Sequence, residues 1–248
     1  MKHIKPYHKY LITEEKQNDT NSTSLDKEID FSNDILDEYS FKKIDFYYLK
    51  DKVDEVLVKE MYDMIEDNEY RAFATFAHNI EHFEELPCTL IALVNYPAER
   101  FNKRTILSKL EDIKQYEFVD EIEFPWSLKY NDFGVEFWRD IVLDFSNKGF
   151  RLRPMVEFGI YKNEDVKKVI EFFKQINIMT IMTSSGLYPE ITTFERWEEL
   201  KELIPNKWEV KIGGVLTIGD INKFIKSDID LAATTISLKS EYGEELGL

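Results

Sequence analysis

The chain of 248 residues has one cysteine, no cluster of Lys or Arg, and no apolar run near its start long enough for a signal peptide or a membrane span. One thiol builds neither a disulfide framework nor a cysteine-rich zinc site. The missing basic cluster matters because 32 Lys+Arg against 48 Asp+Glu already leave a formal charge of −16. Such a chain repels phosphate backbones and anionic bilayers, so nucleic acid and membrane are set aside as partners and the cytoplasm is the expected compartment. A Rossmann fingerprint, a P-loop and a flavin signature are also missing, so no organic cofactor is implied. What is present is a globular composition. With 43% apolar residues the chain can bury a sizeable core in one large domain or two small ones.

Residues 1–42 read as a polar N-terminal extension. The stretch Gln17-Asn18-Asp19-Thr20-Asn21-Ser22-Thr23-Ser24 offers nothing periodic to bury, although a short helix near 29–39 fits the pattern. From Lys43 onward, short β-rich runs alternate with segments whose apolar residues recur at helical spacing. Strands are expected at 44–48, 71–76, 90–94, 121–124, 151–156, 178–182, 209–212 and 231–233. Helices are expected between them at 53–67, 80–85, 104–115, 135–147, 164–175 and 218–226, with one more opened by Thr192 and Glu195 in capping-box spacing. Eight βα units over 43–248 predict a closed (β/α)₈ TIM barrel rather than an open doubly wound sheet. Only two or three turns, at 236–246, follow the eighth strand, so the N-terminal arm or a second copy of the chain would have to cover that flank.

In a barrel of this kind the chemistry sits where strands end and βα loops begin. The residues so placed are Asp45, Thr75-Phe76-Ala77-His78, Asn95-Tyr96, Glu123, Arg153, Glu157, Met182 to Gly186, Lys211 with Gly213-Gly214, and Thr234-Thr235. Ser184-Ser185-Gly186 and Gly213-Gly214 permit close backbone approach, and Thr234 and Thr235 add hydroxyl donors. Together they make a candidate cradle for a small phosphorylated ligand. The glycines also suit plain turns.

Six short motifs carry a resemblance: Ile44-Asp45-Phe46-Tyr47-Tyr48-Leu49-Lys50, Val94-Asn95-Tyr96-Pro97, Val119-Asp120-Glu121-Ile122-Glu123, Met155-Val156-Glu157, Ile181-Met182-Thr183-Ser184-Ser185-Gly186 and Gly213-Gly214-Val215. In order and near spacing they resemble the deoxyribose-phosphate aldolase family, over about residues 43–237. The resemblance implies a TIM barrel and class I aldolase chemistry. A lysine ending the sixth strand would form a Schiff base, a second lysine on the seventh would depress its pKa, and a fourth-strand aspartate would shuttle protons.

The chain departs from this pattern at the Schiff-base position, where Met182 stands in place of lysine. A thioether has no nucleophilic amine. On the seventh strand Lys211 stands two residues before the glycine pair rather than three, an offset that would turn it to the other face of the strand. Glu123 takes the place of the fourth-strand aspartate, and Asp45 keeps the first-strand one. Several readings stay open. The barrel binds a phosphorylated sugar or similar anion without aldol chemistry; or Lys211 is the amine, its pKa lowered by apolar neighbours, in a carbon–carbon lyase; or Asp45, Glu123 and Glu157 perform acid/base or metal-assisted chemistry; or the barrel binds a protein partner, another copy of itself included.

Two further signals compete with these. His78-Asn79-Ile80-Glu81-His82 matches the H-x-x-E-H string of inverted zinc peptidases, yet such an enzyme needs a third ligand and a different fold, so exposed histidines are the simpler reading and no metal site is expected. Glu157 either acts in catalysis or pairs with Arg153 or Lys211 inside the barrel. Trp126 and Tyr96, just past strand ends, are the aromatic residues expected nearest a pocket.

Overall fold

Runs such as Ile-Asp-Phe-Tyr-Tyr put one kind of side chain on each face of a strand, and the computed structural model shows what each face meets. It describes residues 42–49, 53–68, 70–96, 102–186, 188, 190–214, 218–227 and 229–234. The strands are β1 (Ile44–Tyr48), β2 (Ala72–Phe76), β3 (Thr89–Leu93), β4 (Glu121–Trp126), β5 (Arg151–Val156), β6 (Thr180–Met182), β7 (Glu209–Ile212) and β8 (Leu231–Thr234). Each pairs in parallel with the next, and β8 pairs with β1, closing the barrel. The helices are α1 (Glu55–Asn68), α2 (Lys103–Ile113), α3 (Val135–Asn147), α4 (Asn163–Ile176), α5 (Phe194–Leu200) and α6 (Ile218–Lys226). The arm expected at 1–42, the helix near 29–39, the closing segment at 236–246 and Thr235 fall, all but Lys42, outside the described residues.

Outward positions of the strands and inward faces of the helices form the main core. Phe46, Phe73, Phe124, Trp138 and Phe173 are all buried there. α4 shows why its sequence is a helix: Val166, Val169, Ile170, Phe173 and Ile176 share its buried face, Glu164 and Asp165 favour its N-terminal dipole, and Asn177 ends it in a left-handed conformation. Among the described residues no helix is long and apolar enough to cross a membrane.

Three local expectations are corrected. The segment after β2 is a 3₁₀ helix over Ala77–Phe83 rather than an α-helix at 80–85. The residue capping α5 is Thr193, whose Oγ1 accepts from Arg196 N–H at 3.2 Å, while Thr192 is buried against Ser184. Trp126 ends β4 facing the helices, 4.6 Å from the ring of Trp138 and 4.8 Å from that of Phe173, so it belongs to the core and not to a pocket.

Candidate functional site

The inner face of the barrel begins with Asp45 and Tyr47 on β1, and alternation adds Glu121 and Glu123 on β4, Arg153 on β5, Met182 on β6 and Lys211 on β7. Lys211 is fully buried and points inward, so the offset that would have turned it away does not do so. Its ammonium donates to Tyr47 Oη and Glu121 Oε1, each at 3.1 Å, and more closely to Glu123 and Asp45. Arg153 grips Glu121 through two nitrogens, at 2.8 and 3.1 Å, and also meets Glu209. Arg71, at the foot of β2, forks onto both oxygens of Asp45.

Three cations (Arg71, Arg153, Lys211) thus face three anions (Asp45, Glu121, Glu123), and the cluster balances. Balance is what makes its burial tolerable, since an unpaired charge there costs several kcal/mol. Tyr47, Arg71 and Glu121 were not singled out in the sequence. The signal was available for two of them: Tyr47 lies two residues beyond Asp45, and Glu121 two before Glu123, both on the same inward face.

The cluster sets the proton affinities. Burial works against a charge on Lys211, but Asp45, Glu121 and Glu123 outweigh it and raise its pKa. The lowered lysine pKa expected beside apolar neighbours is therefore reversed, because carboxylates and not Met182 dominate its surroundings. Burial also favours neutral Glu121, yet Lys211, Arg153 and Arg71 together hold it well below the usual carboxylate range. Burial pushes Glu123 upward instead, helped by the charge of Glu121. Tyr47, buried and facing Glu123 and Asp45, is held well above its ordinary 10.0.

A group bound more tightly to its proton in the folded state lends stability that is fully present below its unfolded pKa and is lost as pH rises through the folded one. For Tyr47 and Lys211 that window opens above about pH 10. The urea midpoint is expected to hold up to about pH 10 and to fall steeply above it, and less steeply in Y47F; equal slopes would contradict the assignment. Glu121 acts in the opposite sense, its contribution being lost only under acid.

Carboxylate oxygens of Asp45, Glu121 and Glu123 lie within 4.8 Å of one another, a spacing that suits a metal ion. Lys211 already meets all three carboxylates, so the donor set fits an internal ammonium better than a resident metal. His78 and His82 do not converge: in a 3₁₀ turn, residues four apart point in different directions, and His78 instead stacks on Phe76 at 5.5 Å. This removes the zinc-peptidase reading.

Beside Lys211 the inner face turns apolar. Met182 pairs with Lys211 across β6 and β7, and its Sδ lies 3.6 Å from Tyr47 Oη. A Cβ on Gly213 would stand 2.1 Å from Met182 Cε and 2.2 Å from the Ser184 carbonyl oxygen, so the thioether fills the space a side chain there would need.

At the mouth, the expected cradle residues have partners of their own. Ser184 Oγ accepts from Thr192 N–H at 2.9 Å, fastening the loop after β6. Ser185 gives both its N–H (3.0 Å) and its hydroxyl to one oxygen of Glu157, which is therefore held by Ser185 at the mouth rather than by Arg153 or Lys211. Gly186 and Gly214 both have positive φ, +79° and +112°, and a Cβ on Gly186 would stand 3.6 Å from Gly214 Cα, so the two loops nearly touch. Thr234 is buried at the end of β8. Tyr96 is a mouth residue as expected, its hydroxyl donating to the Ser185 carbonyl at 2.9 Å.

A closed parallel barrel of eight strands with helices between them defines the class of protein by its fold, a (β/α)₈ barrel. The solved structures it resembles place it more narrowly in shape. A deoxyribose-phosphate aldolase from Aeropyrum pernix, described as a tetramer, matches with a TM-score of 0.70 at 16% identity, over 80% of this chain and 87% of that one. The protein QR15, described as an aldolase, matches at 0.69 and 19%, over 79% and 91%. A Coccidioides immitis protein described as a deoxyribose-phosphate aldolase matches at 0.66 and 11%, over 80% and 82%. At these identities the likeness is one of fold. No protein-family model matches the sequence, and no curated protein matches it.

Proposed function

We propose that this chain is a small-ligand-binding barrel of the aldolase fold that does not carry out class I aldol chemistry, its ligand being a phosphorylated sugar or a similar small anion held at the mouth. One observation carries the first half. The inner lysine, Lys211, is fully buried beside Met182, ion-paired to Asp45 and Glu123, and raised in pKa. A Schiff base requires a neutral amine with access to a carbonyl, and these surroundings favour neither.

The second half is supported by the loop after β6. Ser185 N–H and Oγ–H converge on a single carboxylate oxygen of Glu157, the donor arrangement that an oxyanion selects. Glu157 then acts as an internal competitor for the seat. Neutralising it in E157Q keeps the shape and removes the repulsion, and calorimetric titration with inorganic phosphate is expected to show binding about tenfold tighter than in the wild type, worth ~1.4 kcal/mol. Unchanged or weaker binding would count against this loop as the cradle.

A further inference from the structure

The ladder of β3 runs one residue past the strand, Val94 N–H donating to the Glu123 carbonyl at 2.8 Å. Leu93 faces the inner apolar cluster and Val94 the outer core, and Asn95 follows just past the C-terminal end of β3, the end at which the mouth of such a barrel lies. Asn95 adopts a φ of +67°, a left-handed conformation that asparagine enters more readily than most residues but not without cost. It is 8% exposed, and among the described residues neither its amide oxygen nor its amide nitrogen has a hydrogen-bond partner. A buried amide with two donors and an acceptor unmet is a penalty that packing alone gives no reason to keep.

What lies beside it says what would satisfy it. Tyr96, the next residue, reaches to the Ser185 carbonyl, and its ring lies 6.1 Å from that of Phe76. Phe76, Leu93 and Met155 make the adjoining inner surface apolar, with Tyr96 packed against it. The charges of the inner cluster are already paired, and Glu157, after β5, brings a carboxylate to the same end of the barrel. An uncharged group is thus favoured next to Asn95, one able to give and to accept. A carboxylate would meet only the amide N–H groups, whereas hydroxyls meet both, and the C–H face of a polyol packs well on an aromatic ring.

We propose that Asn95 reads the uncharged part of the ligand, and that this part is a pair of adjacent hydroxyl groups. The inference rests on the reading of the mouth as a ligand site, and the test separates the two. Wild type and N95G are titrated with inorganic phosphate, ribose 5-phosphate and 2-deoxyribose 5-phosphate. Glycine accepts the left-handed backbone, so N95G is expected to melt no lower than wild type.

Ribose 5-phosphate is expected to bind the wild type at least tenfold tighter than phosphate, and tighter than its 2-deoxy analogue, which lacks one of the adjacent pair. N95G is expected to remove most of that advantage. Ribose 5-phosphate binding no tighter than phosphate, equal affinity for the two sugars, or full preference retained in N95G each overturns the role of Asn95 and leaves the cradle standing. Asn95-dependent binding of ribose 5-phosphate without phosphate binding overturns the cradle and keeps Asn95. Binding of none of the three overturns both.

Discussion

Replacing Lys211 by Met is expected to destabilise the barrel by about 3–5 kcal/mol in urea denaturation at pH 7. The side chain is apolar and near the same length, so lost packing explains little of that. The loss comes from the carboxylates left behind: Asp45 keeps Arg71 and Glu121 keeps Arg153, but Glu123 keeps only Arg153 at 3.5 Å and the Tyr47 hydroxyl. Glu123 is already pushed above its ordinary pKa by burial, and without Lys211 it is pushed further. Its neutral form then stabilises the variant, an effect present below the ordinary carboxylate range and lost as pH rises through the raised value. K211M is accordingly expected to be closest to wild type near pH 5 and furthest from it near pH 8, and K211M/E123Q to recover part of the loss. A Lys211 held only loosely would instead give a change of under about 1 kcal/mol, as exposed ion pairs do.

The second large effect is a gain. Met182 lies one strand away from Lys211 and in register with it. In M182K the new amine enters a buried position beside an existing ammonium, and both burial and like charge lower its pKa, the condition under which an amine attacks a carbonyl near neutral pH. Treatment of M182K with 2-deoxyribose 5-phosphate and borohydride is expected to give a reduced adduct at position 182. Absence of any adduct in a variant with normal melting would mean that the mouth no longer admits such a substrate.

The barrel was legible because its signals are local and repeated. The spans of β1, β5, β7, α3 and α6 match the sequence expectation at both ends, each being a short alternating or periodic run with clear flanks. Where competing interactions decide, the sequence was less informative. Thr192 and Thr193 are both good caps, and only the pull of Ser184 on Thr192 selects the second. The direction of Lys211 depended on counting from the glycine pair. Counting from Ile212, an outer-core residue, places Lys211 inward, and Gly213 lies inward again above it. The raised proton affinity of Lys211 needed three carboxylates, from β1 and β4, brought together by closure of the barrel. No single-strand pattern contains that information. Asn95 stands at an expected strand end in the sequence, but its unmet amide exists only in the folded chain.

The most direct test of the account is borohydride trapping of the wild-type protein with 2-deoxyribose 5-phosphate, read by peptide mass mapping of the segment that contains Lys211. The account predicts an unmodified Lys211 even at millimolar ligand, because its ammonium is buried and held by carboxylates. A reduced sugar adduct on Lys211 would contradict it and make this barrel an aldolase with its amine moved to the seventh strand.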